Sequence, residues 1–299
     1  MTAPLKRSHT QDETGTAVFE AQRPRLRRIA YRMLGSLSEA DDIVQDAWLR
    51  WRQVDPATVQ SAAAFLSQVV TRLCLDVMKS ARARRETYVG SWLPEPLVEE
   101  ETAPDRDDLT LTLMLALERL SPLERAAFLL HDVFGVALDD VATTLKREPA
   151  AVRQLAVRAR QHVQDARPRF PVAPEEGSRI AEAFFTATRS GDIATLRTLL
   201  SETVVLRADG GGKVNAFPNP IIGLDHVLRL FEGLTRKLGA QHDERFRTLW
   251  IDGLPGYLSF ERDGVLQTTA LAIEDGRITA IYITRNPDKL QRVRIEPLH

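Results

Sequence analysis

The sequence predicts a multidomain protein in which two all-α domains are followed by an α+β domain. The first observation is that apolar residues recur at three- and four-residue spacing through residues 19–168, which is typical of amphipathic helices. The second is the segment PVAPEEGS at residues 171–178, whose prolines and glycine interrupt that pattern. The third is a series of alternating runs from Val204 onward, which indicates a curved antiparallel sheet preceded by two helices.

The first 18 residues are mostly polar and have no apolar periodicity, and we expect a disordered leader there. A helix is predicted from near Phe19 or Pro24 to Leu34, where Gly35 ends it. Ser38 is expected to cap the next helix, which continues through SEADDIVQDAWLRWRQV. A third, long helix is predicted from Ala62, and its second half is basic.

The stretch ALDDVATTLKREPAAVRQLAVRARQHVQD, residues 137–165, predicts two helices joined by a tight turn at residues 146–148. Pro149 suits the first position of the second helix, where its missing N–H costs no hydrogen bond. One face of that helix is small and apolar, and the other carries arginine and glutamine, which are suited to the DNA major groove. An ordinary helical hairpin with a solvated basic face is the alternative that this spacing leaves open.

Charge is unevenly distributed although the net charge is only -1. Residues 72–88 carry five basic and two acidic side chains, and residues 146–169 carry seven basic and two acidic ones. Between them, residues 95–108 carry seven acidic side chains and one basic one. The pattern predicts two contacts with a polyanion, separated by a segment that does not lie on it.

Other protein classes are disfavoured. The single cysteine, Cys74, excludes an internal disulfide, and the sequence contains no apolar run of membrane-spanning length and no signal-peptide core. Histidines and carboxylates lack metal-site spacing, and the glycines at 210–212 lack the spacing of a phosphate loop. We therefore expect a cytoplasmic protein without metal, cofactor, membrane contact or enzymatic activity.

The segment RIAYRMLGSLSEADDIVQDAWLRW, the basic helix after it, the acidic linker and the helix-turn-helix occur in an order that resembles a known family. Over residues 19–168 they are similar to regions two and four of the bacterial RNA polymerase sigma factors of the extracytoplasmic-function group. The sequence departs from that pattern at Lys146, where glycine is frequent, and at Glu148, which replaces a serine-type cap.

The resemblance implies core RNA polymerase and promoter DNA as partners of a free monomer. It also implies that the loop at residues 53–61 captures a flipped base of the minus-ten element. The implied polymerase-binding residues are Asp41, Asp42, Gln45 and Asp46. The implied phosphate contacts are Arg72, Lys79, Arg82 and Arg84, the minus-thirty-five contacts are Arg153, Gln154, Val157 and Arg158, and further backbone contacts are Arg147 and Arg160.

Residues 178–285 resemble a SnoaL-like domain, an α+β cone that some sigma factors of this group carry at the C-terminus. Three short motifs match that subgroup: WLPEPLVE at 92–99, DGGGK at 209–213 and NPDKL at 286–290. Because large apolar residues in the charged linker need a partner, we expect the cone to dock near it and regulate the sigma regions. The expected regulatory residues are Trp92, Leu93, Pro94, Asp209, Gly210, Gly211, Gly212, Lys213, Asn286, Pro287, Asp288 and Lys289.

Two alternatives remain. The cone of an enzyme or sensor would hold a small ligand between aromatic residues, with His226, His242 or Asp243 as acid or base, although the same aromatics would also fill a core. A dimeric helix-turn-helix repressor is the other alternative, and it leaves DDIVQDAW unexplained. The aromatic residues in question are Phe184, Phe217, Phe231, Trp250, Tyr257 and Tyr282.

The predicted boundaries follow these changes of pattern. They are a leader at 1–18, region two at 19–88, the acidic linker at 89–108, region four at 109–170, a second linker at 171–177 and the SnoaL-like regulatory domain at 178–299.

Overall fold

The computed structural model describes residues 9–55, 58–86, 88–99, 110–164, 172–239, 246–261 and 263–293. Its helices are α1 (His9–Leu34), α2 (Leu37–Trp51), α3 (Ala62–Glu86), α4 (Leu111–Leu117), α5 (Pro122–Phe128), α6 (Leu138–Leu145), α7 (Pro149–Val163), α8 (Pro174–Ser190), α9 (Ile193–Leu199), α10 (Leu224–Leu238) and α11 (Pro287–Leu290). Its strands are β1 (Val98–Glu99), β2 (Leu200–Asp209), β3 (Ile221–Ile222), β4 (Phe246–Ile251), β5 (Leu254–Phe260), β6 (Leu266–Glu274) and β7 (Arg277–Thr284).

The chain forms two compact units. One combines residues 1–84 with residues 117–164, and the other combines residues 85–116 with residues 165–299. The first is helical and the second is α+β, which confirms the predicted fold class. None of the helices in the described ranges is long and apolar enough to cross a membrane.

The start of the first helix differs from the prediction. Helix α1 begins at His9, so residues 9–18 are helical instead of belonging to a disordered leader; residues 1–8 lie outside the described part. The segment before Phe19 has a tertiary partner: the carbonyl of Gly15 accepts a hydrogen bond from the Trp51 indole at 2.8 Å, next to the packing of Phe19 on Trp48. Polar composition alone hid these contacts.

The cap of α2 is Ser36 instead of Ser38. Gly35 ends α1 with a φ of +70°, which leaves Ser36 in an extended conformation. Its hydroxyl accepts a hydrogen bond from the backbone N–H of Glu39 at 3.2 Å, three residues later, as an N-cap does.

The helix-turn-helix has the predicted phase. On α7 the buried side chains are Val152, Leu155, Ala156, Ala159 and Val163, the residues that the spacing placed inside. The turn bends at Lys146, which adopts the left-handed conformation (φ 52°, ψ 52°), and the N–H of Arg147 donates to the carbonyl of Ala142 at 3.0 Å. Glu148 is the extended residue before Pro149.

Within the described residues, the second unit is built on a seven-stranded sheet with the order β1-β4-β5-β6-β7-β2-β3. Strand β2 runs parallel to β7, which corrects the expectation of a wholly antiparallel sheet, and the other neighbours are antiparallel. Helices α8, α9 and α10 cover one face of the sheet. Helix α10 was not predicted, although Leu224, Val227, Leu228 and Phe231 have helical spacing and are buried.

The opposite face of the sheet is covered by the linker. Leu93 and Leu111 are buried there with Leu249, Ile251 and Tyr282. Val98 in β1 pairs with Ile251, so the linker supplies an edge strand. The described linker residues 89–99 and helix α4 are therefore part of the second unit and not a separate spacer.

Candidate functional site

The exposed face of α2 carries the acidic residues that the sequence singled out. Asp42, Gln45 and Asp46 are exposed, whereas Asp41 is half-buried and pairs with Arg27 at 2.6 Å. Leu49, which sequence reasoning missed, is 48% exposed one turn further along. Residues 42, 45, 46 and 49 share a helix face, so this face presents acidic and amide groups beside an uncovered leucine.

Arg72 on α3 contacts protein in this structure instead of being left free for phosphate. Its guanidinium donates to the carbonyls of Thr143 and Thr144 at 3.1 and 3.0 Å. These carbonyls lie at the C-terminus of α6, where backbone oxygens lack helical partners and carry partial negative charge. In this arrangement of the helices Arg72 binds protein, and the phosphate contact expected for it stays a prediction.

The remaining basic residues of α3 are only partly described. Lys79 is exposed and pairs with Asp76 at 2.8 Å, and that hydrogen bond lowers the pKa of the Asp76 carboxyl. The side chains of Arg82 and Arg84, and residues 56 and 57 of the loop expected to capture a base, lie outside the described part.

Arg125 on α5 also contacts distant backbone carbonyls, and it was not singled out from the sequence. It is 2% exposed and donates to the carbonyl of Met33 at 2.8 Å, to the carbonyl of Leu117 at 2.9 Å and to Glu118 at 2.7 Å. Burial lowers its pKa to about 9, so the side chain remains a cation at neutral pH. Met33 lies in the last turn of α1, so Arg125 caps that helix from a distant part of the chain. A lone arginine in the apolar run PLERAAFLL was the available signal.

On the outward face of α7, two arginines form ion pairs with acidic residues of the same unit, and other side chains are exposed to solvent. Arg158 pairs with Glu124 at 3.0 Å, and Arg160 pairs with Asp132 at 2.6 Å. Exposed side chains in the first nine residues of the helix include Arg153, Gln154 and Val157, and Arg147 is exposed in the preceding turn. The face therefore presents a guanidinium, an amide and a branched apolar group, the groups that read base edges.

The three motifs of the linker and cone meet around Asp209, which is fully buried. Its carboxylate accepts hydrogen bonds from the Leu93 N–H at 2.9 Å, the Tyr88 hydroxyl at 2.6 Å and the Gly211 N–H at 3.0 Å. It also pairs with the Lys289 ammonium at 2.7 Å. Four donors from the linker, the glycine turn and the last helix thus satisfy one buried anion, as burial of a charge requires.

Lys289 joins the same network from the C-terminal motif. Its ammonium lies 4.8 Å from the ring centre of Tyr88 and 4.5 Å from that of Trp92, and it donates to the carbonyl of Leu93. Aromatic faces stabilise a cation at such distances. Asn286 donates to the Tyr88 hydroxyl at 2.8 Å, and burial, followed by the bond to Asp209, raises the pKa of that tyrosine.

The glycine turn fits this network because it lacks side chains. A Cβ on Gly211 would lie 2.2 Å from the Asn286 amide nitrogen, and one on Gly210 would lie 2.4 Å from the Val214 carbonyl oxygen. Gly211 and Gly212 also have φ of +62° and +70°, the region that glycine tolerates. At the solvent-exposed edge of the network Lys213 pairs with Asp288 at 2.5 Å. The two motif prolines have other positions: Pro287 begins α11, and Pro94 is buried.

A second buried carboxylate, at Asp252, was missed. Its side chain accepts from the Leu97 N–H at 3.2 Å, its own N–H donates to the Leu97 carbonyl at 2.9 Å, and its carbonyl accepts from the Leu111 N–H. Asp252 and Gly253 have φ of +47° and +69° in the tight turn between β4 and β5. The Asp-Gly dipeptide was the available turn signal.

The aromatic residues considered for a ligand pocket are distributed over both sides of the sheet. Phe184, Phe231 and Tyr257 lie in the core beneath the helices, with Phe217 packed against it, whereas Tyr282 lies in the core beneath the linker. Trp250 is 5% exposed. His226 is exposed and contacts the Ile222 carbonyl, and His242 and Asp243 lie outside the described residues. This distribution favours a packing role for the aromatics.

Comparison with known proteins identifies the two helical parts. Residues 18–84 match the family model described as Sigma-70 region 2, and residues 110–163 match that described as Sigma-70, region 4. The chain is 36% identical over 287 residues to the ECF RNA polymerase sigma factor SigJ of Mycobacterium tuberculosis, covering 91% of each. It is 32% identical over 298 residues to the probable ECF RNA polymerase sigma factor SigI of the same species, covering 96% of this chain and 98% of that one.

The similarity extends through the cone. The crystal structure of the Mycobacterium tuberculosis extracytoplasmic function sigma factor SigJ superposes with a TM-score of 0.77 at 34% identity, covering 95% of this chain and 100% of that one. The resemblance inferred from the motifs is confirmed by these matches. The chain belongs to the RNA polymerase sigma factors of the extracytoplasmic-function group, within the sigma-70 family.

Proposed function

We propose that this sigma factor binds core polymerase through the acidic face of α2, reads promoter DNA with α7, and is regulated by its cone through the linker. It initiates transcription at specific promoters without being an enzyme itself, and it acts as a monomer in the cytoplasm before it meets polymerase. The observation that carries the regulatory part is the buried Asp209–Lys289 pair, which holds the linker between regions two and four on the cone.

The length of that linker limits how far apart regions two and four can lie, and docking on the cone shortens it. The minus-ten and minus-thirty-five elements are about 25 base pairs apart, or roughly 85 Å at about 3.4 Å per base pair. Fully extended, residues 87–110 would span at most about 80 Å at about 3.3–3.6 Å per residue. When residues 88–99 are held on the cone, the tether is shorter, so docking restricts the separation that a promoter demands.

Run-off transcription with core polymerase on a genomic promoter library tests the function. We expect transcripts from a small set of promoters that share a minus-thirty-five and a minus-ten element. If Arg153 makes a bidentate base contact, Arg153→Ala should weaken promoter binding by about 1–3 kcal/mol, and transcription in the same assay should fall accordingly. Duplex binding without core polymerase and no transcripts would instead support the repressor alternative.

A further inference from the structure

Val157 is chemically out of place on the surface of α7. It is 49% exposed at the centre of a helix face whose other members, Arg153 and Gln154, are polar. A β-branched residue is a weaker helix former than alanine, lysine or glutamine, so an exposed valine does not stabilise this helix. Its neighbours Leu155 and Ala156 already supply the buried side. The folding of region four therefore does not explain the valine.

The surroundings of Val157 limit what it can contact. Arg158 and Arg160 are held by Glu124 and Asp132 of the same unit, at 3.0 and 2.6 Å. Arg153 and Gln154 lie four and three residues before Val157, so all three side chains share one exposed patch. The N-terminal residues of a recognition helix contact base edges, and Arg153 and Gln154 lie in the first half of α7, one turn before Val157. Val157 is thus the apolar member of a small exposed patch that also carries a guanidinium and an amide.

We propose that Val157 recognises the 5-methyl group of a thymine in the minus-thirty-five element, beside a base contacted by Gln154 or Arg153. This inference rests on the proposed placement of α7 in the major groove. Thymine alone among the DNA bases displays a methyl group there, and apolar side chains pack against it. Burying one methyl group corresponds to about a fourfold change in affinity, which is about 0.8 kcal/mol.

The test removes that methyl group alone. In a promoter that the full chain and core polymerase transcribe, each thymine of the minus-thirty-five element is replaced singly by deoxyuridine on either strand. At one position we expect initiation by the wild-type protein to fall about three- to fivefold. Val157→Ala should start from the lower level with thymine and lose nothing further with deoxyuridine.

Two comparisons make the result specific. Ile222→Ala removes another exposed apolar side chain, 63% exposed on the cone, and should retain the full response to deoxyuridine. An unchanged melting temperature would show that Val157→Ala remains folded. Equal initiation by the wild type on thymine and deoxyuridine at every position, or a Val157→Ala protein that still responds to the methyl group, would overturn the proposal. Failure of the wild type to transcribe any promoter selectively would overturn the proposed function and this inference with it.

Discussion

The turn of the helix-turn-helix places Lys146 in a backbone conformation that is energetically unfavourable. Its left-handed conformation is unfavourable for a residue with a Cβ by about 1 kcal/mol, and the resemblance had already marked this position as one where glycine is frequent. The structure accommodates lysine without changing the turn, because the Arg147 N–H still closes on the Ala142 carbonyl. Lysine in place of glycine therefore strains the backbone locally and does not change the type of turn.

Replacement of Lys146 by glycine should raise the free energy of unfolding of the helical unit by about 1 kcal/mol, because glycine adopts this conformation without the steric penalty. Chemical denaturation followed by circular dichroism measures the change. Lys146→Ala is the matched control: it removes the same side chain but keeps a Cβ, and should give little or no gain. Equal stabilisation by both variants would mean that the side chain, and not the backbone, was unfavourable.

Substitutions of Asp42 and Asp46 test the proposed contact with core polymerase at the scale of single residues. Reversing both to lysine should reduce capture of core polymerase at least tenfold, because like-charge contacts are strongly unfavourable at an interface. Leu49→Ala should weaken capture as well, since it removes apolar surface that the contact would bury. Pull-down with purified core polymerase measures both effects.

A charge-matched control is available on the cone. Glu202 and Glu232 are exposed, and reversing both to lysine gives the same net charge as the α2 variant. That control should retain normal capture, and both variants should keep the wild-type circular dichroism spectrum because exposed substitutions cost little. Undiminished capture by Asp42→Lys, Asp46→Lys would remove α2 from the interface.

At the scale of elements, regions two and four cap each other's helices. Arg125 of region four closes the C-terminus of α1, and Arg72 of region two closes the C-terminus of α6. A compact unit of this size is roughly 40 Å across, whereas the two promoter elements are roughly 85 Å apart. The two regions must therefore separate before both elements are bound, and the two arginines oppose that separation.

Arg72→Ala should open this unit. Loss of its two hydrogen bonds removes about 1–3 kcal/mol from the closed arrangement. Small-angle scattering should show a larger radius of gyration for the free protein, and association with core polymerase should become faster. Lys79→Ala on the same helix, whose partner Asp76 is a near neighbour, should change neither. A variant as compact as the wild type, with unchanged association, would show that the arginine contacts do not control opening.

Elements whose partners are local were predictable, and elements whose partners are distant were not. The inward stripe of α7 follows from spacing within the element and is confirmed. The capping box of Ser121 and Glu124 at the start of α5 is a local pattern of the same kind. Strand β1 has only two residues, and its pairing with β4 depends on a segment more than 140 residues away. The parallel pairing of β2 with β7 and the roles of Arg72 and Arg125 likewise arise from packing. Periodicity does not report contacts of that kind.

At the scale of the whole molecule, motifs from three distant parts of the chain meet at one buried carboxylate. The linker, the glycine turn and the NPDKL motif were expected to interact, and the structure brings backbone and side-chain groups of all three within hydrogen-bond distance of Asp209. The centre of the network, Asp209, was identifiable only as part of a motif. Its burial and its four donors required the structure. The regulatory role of these residues remains a prediction.

Asp209→Asn in the full chain tests that role. The substitution preserves volume but leaves Lys289, whose side chain is 10% exposed, without its anionic partner, which costs about 3–5 kcal/mol for a buried pair. The linker should then leave the cone, lengthening the tether between regions two and four. An order-of-magnitude rise in promoter output needs only about 1.4 kcal/mol of difference between docked and released states. Trp92→Ala, and truncation after Pro171, should shift output in the same direction.

Lys213→Ala provides the matched control, because its pair with Asp288 is about half-exposed at the rim of the same network and contributes little. It should leave both promoter output and small-angle scattering close to wild type. Reduced output from Asp209→Asn together with an opened linker would mean that the docked cone supports initiation instead of restraining it. Identical promoter output and identical scattering for Asp209→Asn, Trp92→Ala and the wild type would show that the cone does not regulate the sigma regions.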